Sequence, residues 1–199
     1  MRQESDTPPQ GAQDEALLIR RILDGETALF RRLADRYAGQ VLRMVARLIP
    51  VQEEAEEAAQ DALLEAYRSL SRYDAQQGTF HTWLMSIAYH MSLKHIRRQQ
   101  RELPTIEADG LWMENIPDGE TDMILDDASD SRVAQLERAV GMLKPDDQML
   151  LSLYYYDDHS IKEISAIMER EESYLRSRLQ WIRKRLAVII KTLENDEER

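Results

Sequence analysis

The stretch Ser160–Leu186 reads SIKEISAIMEREESYLRSRLQWIRKRL. It opens on an S-x-x-E capping box, in which Ser160 and Glu163 satisfy each other's backbone N–H groups at a helix start. Ile161, Ile164, Ile167 and Met168 follow at the spacing of one helix face. Glu169–Glu171 reads as a turn, and beyond it Leu175, Leu179, Ile182 and Leu186 mark the buried stripe of a longer helix. Two helices joined by a short turn, the second rich in arginine, match the helix-turn-helix plan. Such a second helix can lie in a DNA major groove, which is about 12 Å wide. With the leucine stripe buried, Arg176, Ser177, Gln180 and Trp181 project from the opposite or flanking sides. Arg176 suits a guanine edge and Gln180 an adenine. Arg183, Lys184 and Arg185 suit phosphates, which fix position without reading sequence. An ordinary amphipathic helix with a solvated basic face fits the same pattern. Glu169, Glu171 and Glu172, at the entry to the second helix, would repel phosphate; they also cap that helix, and a purely structural role is the other reading.

Working towards the N-terminus, Ser131–Leu143 and Asp146–Tyr156 read as two helices separated by Lys144-Pro145, which makes residues 131–193 one helical domain ahead of an acidic tail, 194–199. Residues 102–130 hold ten acids, two prolines and two glycines, with no Lys or Arg and no sustained period. That composition predicts an acidic flexible linker. Before it, residues 14–101 form a second helical domain. Its first helix is Asp14–Leu23, with Leu17, Leu18, Ile22 and Leu23 on one side, broken by Asp24-Gly25. The second spans Glu26–Ile49, where Leu29, Phe30, Leu33, Tyr37, Val41, Val45 and Leu48 form one stripe, and Pro50 stops it. The third is Gln52–Leu70, acidic in its first turns, where the helix dipole favours carboxylates. After a loop, Ser71–Gly78, Thr79 caps a fourth helix running to Arg101. Residues 1–13 are polar and read as disordered. The fold class expected is all-α, with two small helical domains.

Composition narrows the function. The chain of 199 residues carries a net charge of −11 and no cysteine, which excludes disulfides and thiolate metal sites. Without residues 102–130 the remainder carries only about −1, and basic residues cluster at Lys94–Arg101 and Arg176–Arg185. Local fields, not net charge, govern approach to a phosphate backbone. No apolar run nears the roughly 20 residues needed to cross a bilayer, and the N-terminus lacks a secretory signal. A cytoplasmic protein with no membrane insertion is expected. His81, His90, His95 and His159 form no metal-ligand motif, and no phosphate loop or nucleophile motif is present. No enzyme activity, cofactor or metal is expected.

At the level of the whole chain, residues 15–101 and 132–191 resemble the extracytoplasmic-function (ECF) group of the sigma-70 family, which keeps only the second and fourth conserved regions. AEEAAQDALLEAYRSLSRYD, Ala55–Asp74, is similar to the family's core-binding helix, A-E-D-x-x-Q-[ED]-x-F-x-x-x-[WY]. TFHTWLMSIAYHMSLKHIRRQQR, Thr79–Arg101, resembles F-x-x-W-L-x-x-I-A-x-N-x-x-x-[DN]-x-x-R, the helix that handles the promoter −10 element. RSRLQWIRKRL follows K-S-R-L-x-R-A-x-x-x-L in the helix that reads the −35 element.

The resemblance implies a sigma factor that binds core RNA polymerase, recognises both promoter elements and promotes DNA melting. Glu56, Glu57, Gln60, Asp61 and Leu64 would dock on the clamp helices of the largest polymerase subunit, and region 4 on the flap. Arg72, Tyr73 and Gln77 lie in the segment that accepts a base flipped from the non-template strand. His90, Lys94, Arg97, Arg98 and Arg101 would serve the −10 element, with Trp83, Ile87 and Ala88 in the core. Arg176, Ser177, Arg178, Gln180, Trp181, Arg183 and Lys184 would serve the −35 element. His90 and Lys94 replace the usual Asn and Asp or Asn. Glu169, Arg170 and Trp181 depart from the usual Gly, aliphatic residue and Arg. The linker would thread a basic polymerase channel, its acids imitating a nucleic-acid backbone and Leu111, Trp112, Met113 and Ile116 anchoring it; a solvated spacer is the other reading. An anti-sigma partner, common among relatives, would cover the polymerase-facing surfaces. Two other functions fit parts of the chain: a stand-alone helix-turn-helix regulator that binds an operator, and a helical adaptor that binds only proteins.

Overall fold

The computed structural model describes residues 10–100 and 130–197. Arg101, the greater part of the acidic segment with Leu111, Trp112, Met113 and Ile116, and residues 1–9 lie outside them. Among the described residues every regular element is helical, giving the expected all-α class. Backbone contacts divide the chain into two compact units, Met1–Ser92 and Leu93–Arg199.

In the first unit, α1 spans Gln10–Leu23. It starts inside the stretch expected to be disordered, because Ala12, Gln13 and Glu15 are good helix formers and no proline interrupts them. Leu18, Ile19 and Ile22 are its buried residues, whereas Leu17 and Leu23 are 58% and 51% exposed. The inner face is therefore rotated from the stripe read in the sequence. Gly25 ends the helix at φ 111°, and the Glu26 N–H reaches back to the Arg21 carbonyl at 3.0 Å. A side chain at that φ would be strained, so glycine sets the stop.

A 3-10 turn, Thr27–Leu29, leads into α2, Phe30–Ala46. The helix stops short of Ile49: the N–H groups of Leu48 and Ile49 both reach the Val45 carbonyl at 3.0 Å. That closing turn folds Leu48 and Ile49 into the core before Pro50. α3, Gln52–Ser69, packs on α2 through Ala55, Ala58, Ala59, Ala62 and Ala66, all buried. Five small side chains on one face let the two backbones approach closely and leave the opposite face to solvent. A 3-10 turn, Leu70–Arg72, extends α3 into the loop. α4, Phe80–Gln100, belongs to the first unit up to Ser92 and to the second from Leu93, and it starts where expected: the Thr79 hydroxyl accepts the Thr82 N–H at 3.1 Å.

In the second unit, α5 is Asp130–Gly141 and α6 is Pro145–Leu151, with Pro145 at the first helical position, where its missing N–H costs nothing. The helix expected to continue to Tyr156 instead widens into a π turn over Ser152–Tyr156. Its signature is the Asp157 N–H bonded to the Ser152 carbonyl at 3.1 Å. Asp158 then takes a left-handed φ of 53°, and the His159 N–H reaches the Leu153 carbonyl at 3.0 Å. This is a glycine-type helix stop built without glycine.

α7, Ile161–Met168, carries the capping box: Ser160 N to Glu163 Oε2 is 2.9 Å and Glu163 N to Ser160 Oγ is 3.3 Å. Ile164, Ile167 and Met168 are buried, but Ile161 is only half-buried. α8, Glu172–Glu197, buries Leu175, Leu179, Ile182 and Leu186 as expected and packs on α5, α6 and α7.

Candidate nucleic-acid and protein interfaces

On α3 the burial of the alanine face determines what the other face offers. Glu56, Glu57, Gln60, Asp61 and Leu64 are all exposed, Leu64 at 43%. Glu57, Gln60, Asp61 and Leu64 follow one another at three- and four-residue steps, so they form one continuous strip. Gln52 Nε2 donates to Glu56 Oε1 at 2.9 Å, which steadies the N-terminal end of that strip. An anionic strip with an apolar spot has the chemistry to meet a basic helix of another protein.

Next to α3, the loop before α4 is braced from within. Tyr73 packs edge-on against Phe80, with centroids 5.5 Å apart, and tilted against Trp83 at 5.5 Å. Phe80 is 1% exposed, and Tyr37 also packs on it, tilted, with centroids 5.6 Å apart. Trp83 and Ile87, expected in the core, are half-buried, and Ala88 is fully buried. The Tyr73 hydroxyl donates to the Gly78 carbonyl at 3.2 Å, bridging the loop. Burial, then the Glu15 and Asp74 carboxylates, pushes the Tyr73 phenol up, so it stays a neutral donor. Asp74 accepts from Gln76 N at 2.9 Å and from Gln77 Nε2 at 3.1 Å. Arg72 and Gln77 are exposed on this scaffold, whereas Tyr73 is part of it.

Along α4, His90, Lys94, Arg97 and Arg98 are all exposed. His90, Lys94 and Arg97 are spaced by four and three residues, which gives one polar stripe of a single helix. His90 Nδ1 lies 2.8 Å from the Ser86 carbonyl, which can only accept. Nδ1 is therefore the donor in this contact.

In the second unit, Ser165 closes the turn between α7 and α8. Its hydroxyl donates to the Arg170 carbonyl at 2.6 Å, and its own carbonyl accepts the Arg170 N–H at 3.2 Å. Glu169 stands at the corner with a left-handed φ of 54°. Past the turn, Arg176, Ser177 and Gln180 are exposed together on α8, with Ser173 beside them. Ser173 was not read from the sequence, although its position four residues before Ser177 places it on that face. Arg183 and Lys184 flank the group and are half-buried, Arg183 Nη1 lying 3.4 Å from the Tyr155 hydroxyl.

Arg178 does not join the exposed group. Its guanidinium forks onto Asp147 of α6, Nε to Oδ1 at 2.7 Å and Nη2 to Oδ2 at 2.8 Å, and lies 3.8 Å from the Trp181 ring centroid. Asp147 is only 5% exposed at its side chain. A buried carboxylate needs such a partner, and the planar fork fits it with two bonds. Arg178 therefore holds α8 against α6, and Trp181, half-buried, lies under the same guanidinium. Nothing local in the sequence joins Asp147 to Arg178, 31 residues apart.

Among the described residues no three or more His, Asp or Glu side chains gather in a way that could hold a metal, and no helix is long and apolar enough to cross a membrane.

Two family models match the chain: Sigma-70 region 2 over residues 33–102 and Sigma-70 region 4 over residues 134–186. The chain is 26% identical over 170 residues to the ECF RNA polymerase sigma-E factor of Escherichia coli strain K12, covering 83% of this chain and 88% of that protein. It is 26% identical over 178 residues to the ECF RNA polymerase sigma factor SigK of Mycobacterium ulcerans strain Agy99, covering 87% and 91%. Among solved structures, CnrH in complex with the cytosolic domain of CnrY superposes with a TM-score of 0.57 at 18% identity, covering 88% of this chain and 96% of that one. The sigma factor RpoE of Bartonella quintana, in complex with the anti-sigma factor NepR, gives 0.56 at 20% identity, covering 81% and 96%. Two sigma regions in family order, with ECF sigma factors as relatives along more than four-fifths of its length, make this chain an ECF-type member of the sigma-70 family of RNA polymerase sigma factors.

Proposed function

We propose that the chain joins core RNA polymerase through α3, reads a −35 element with α8, and helps to open the −10 element with the Arg72–Gln77 loop and the polar stripe of α4. The single observation that carries this reading is the exposed row Arg176, Ser177 and Gln180 on a helix whose leucine stripe is buried. Those side chains have the donors and acceptors that base edges require. The α3 strip supplies the second half: an anionic surface with Leu64 at its end suits the clamp helices of the largest polymerase subunit. Arg183 and Lys184 flank the reading row and suit phosphates.

For the −10 element, unstacking a base costs a few kcal/mol per step, and a braced loop that accepts the extruded base offsets part of it. Tyr73 keeps the loop in shape, while Arg72 and Gln77 face the strand. His90, Lys94, Arg97, Arg98 and Arg101 hold nearby strand and phosphates. The factor works in the cytoplasm, where polymerase and DNA meet. The domain limits proposed are 14–101 for region 2 and 131–193 for region 4, with the acidic segment 102–130 threading the polymerase between them. An anti-sigma partner, like the one bound to the Bartonella quintana relative, would silence the factor by covering α3 and the α8 unit.

Co-sedimentation of the purified chain with core polymerase, followed by transcription from candidate promoters, tests the reading. The expected result is a stable holoenzyme that makes a defined transcript. Binding to duplex DNA without polymerase would instead mark an operator-binding regulator, and binding to neither an adaptor.

A further inference from the structure

At the entry to α8, Arg176 is held by a neighbour. Its Nη2 donates to Glu172 Oε2 at 2.6 Å, one helical turn back, with side chains 59% and 43% exposed. The remaining N–H groups of Arg176 and the Oε1 of Glu172 take no other partner among the described residues. Glu172, Arg176 and Gln180 form one row along the helix, four residues apart. The N-terminal residues of a helix lying in the major groove are those that meet base edges.

An exposed ion pair between positions i and i+4 stabilises a helix by only a few tenths of a kcal/mol. The carboxylate of Glu172, in the first turn of α8, also suits the helix dipole, and the backbone carbonyl of Glu171 accepts the first helical bond, from Leu175 N at 3.1 Å. Meanwhile a carboxylate beside DNA weakens phosphate attraction for every sequence. Its consequence is therefore geometric and selective. It pins a long flexible side chain before binding, which lowers the entropy lost on docking. It also places an acceptor where only a donor on the DNA can meet it.

We infer that Glu172 is a specificity-determining residue: it holds the Arg176 guanidinium ready for a guanine and turns its second carboxylate oxygen to an exocyclic amino group on the adjacent base. In the major groove that amino group is cytosine N4 or adenine N6, whereas guanine O6 and thymine O4 would face the carboxylate as acceptors and be rejected. The inference rests on α8 being the −35 reading helix.

Holoenzyme carrying the wild-type chain, Glu172→Ala or Arg176→Ala is used to select from a promoter library randomised through the −35 element. Wild type should enrich one guanine, and beside it an amino-bearing base by about tenfold. The base recovered distinguishes cytosine from adenine. Glu172→Ala should lose the preference at the adjacent position, keep the guanine, and bind non-preferred promoters more tightly. An unchanged profile for Glu172→Ala overturns the inference while leaving the reading of α8 intact. Flat −35 profiles for wild type and Arg176→Ala alike overturn both.

Discussion

The Asp147–Arg178 fork ties α8 to α6, and its removal has a calculable cost. Asp147→Ala leaves the Arg178 guanidinium partly buried, at 23% exposure, without its carboxylate. Breaking a fully buried pair costs about 3–5 kcal/mol, and partial exposure of the arginine brings the expectation down to about 2–3 kcal/mol. Each of the two bonds, at 2.7 and 2.8 Å, is charge-assisted, which agrees with that range. For a domain of this size the loss corresponds to a drop in midpoint of roughly 10–20 °C. Trp181, whose ring centroid lies 3.8 Å from the guanidinium, is a built-in probe. In a Trp83→Phe, Trp112→Phe background, its fluorescence follows the second unit within the full chain. Arg178→Met should cost at least as much, because it leaves Asp147 buried and alone. Asp147→Leu combined with Arg178→Met should cost less than either single change implies, since no unpaired charge remains. Single changes that shift stability by less than about 0.5 kcal/mol, with additive doubles, would refute the assignment of a structural role to Arg178.

Three further outcomes follow from the geometry. Leu64→Ala, on the exposed face of α3, should change stability by less than about 0.5 kcal/mol and weaken core polymerase binding by about 2 kcal/mol; chemical denaturation and a fluorescence titration with core polymerase measure the two effects. Asp158→Gly should stabilise the second unit by about 1 kcal/mol, because the residue sits at φ 53°, and Asp158→Val should destabilise it, both read from urea midpoints. Tyr37, which donates to Glu15, is pushed up to about 12, by burial first and the Glu15 bond second. Its folded value exceeds its unfolded value, so its contribution is complete below about pH 10 and is lost between about pH 10 and 12. The slope of stability against pH in that window should be shallower in Tyr37→Phe; equal slopes would exclude the contact.

Periodic signals were legible wherever one element decides its own shape. The leucine stripe of α8, the Ser160–Glu163 box and the Thr79 cap were all readable because each depends on residues within one or two turns. The strip on α3 came from the family resemblance alone, and the structure adds that Ala55, Ala58, Ala59, Ala62 and Ala66 face inwards and leave its residues exposed. Where the outcome depends on distant partners, pattern was silent. Arg178 looks like any other arginine of a basic helix, and only the fold brings Asp147 to it. Tyr73 reads as a loop residue beside DNA, yet its ring belongs to the Phe80 and Trp83 cluster. The π turn escaped because Ser152–Tyr156 has good helical spacing, and the extra residue is accommodated only as the chain turns towards Asp158. In α1 the amphipathic pattern offered two overlapping stripes, and packing selected Leu18, Ile19 and Ile22 over Leu17 and Leu23.

Permanganate reactivity of unpaired thymines across the −10 element tests the central claim most directly. With this chain and core polymerase together on a selected promoter, the thymines should become reactive, and omitting either protein should leave the duplex closed. A duplex that stays closed with both present, while the chain alone protects the same DNA, would contradict the account.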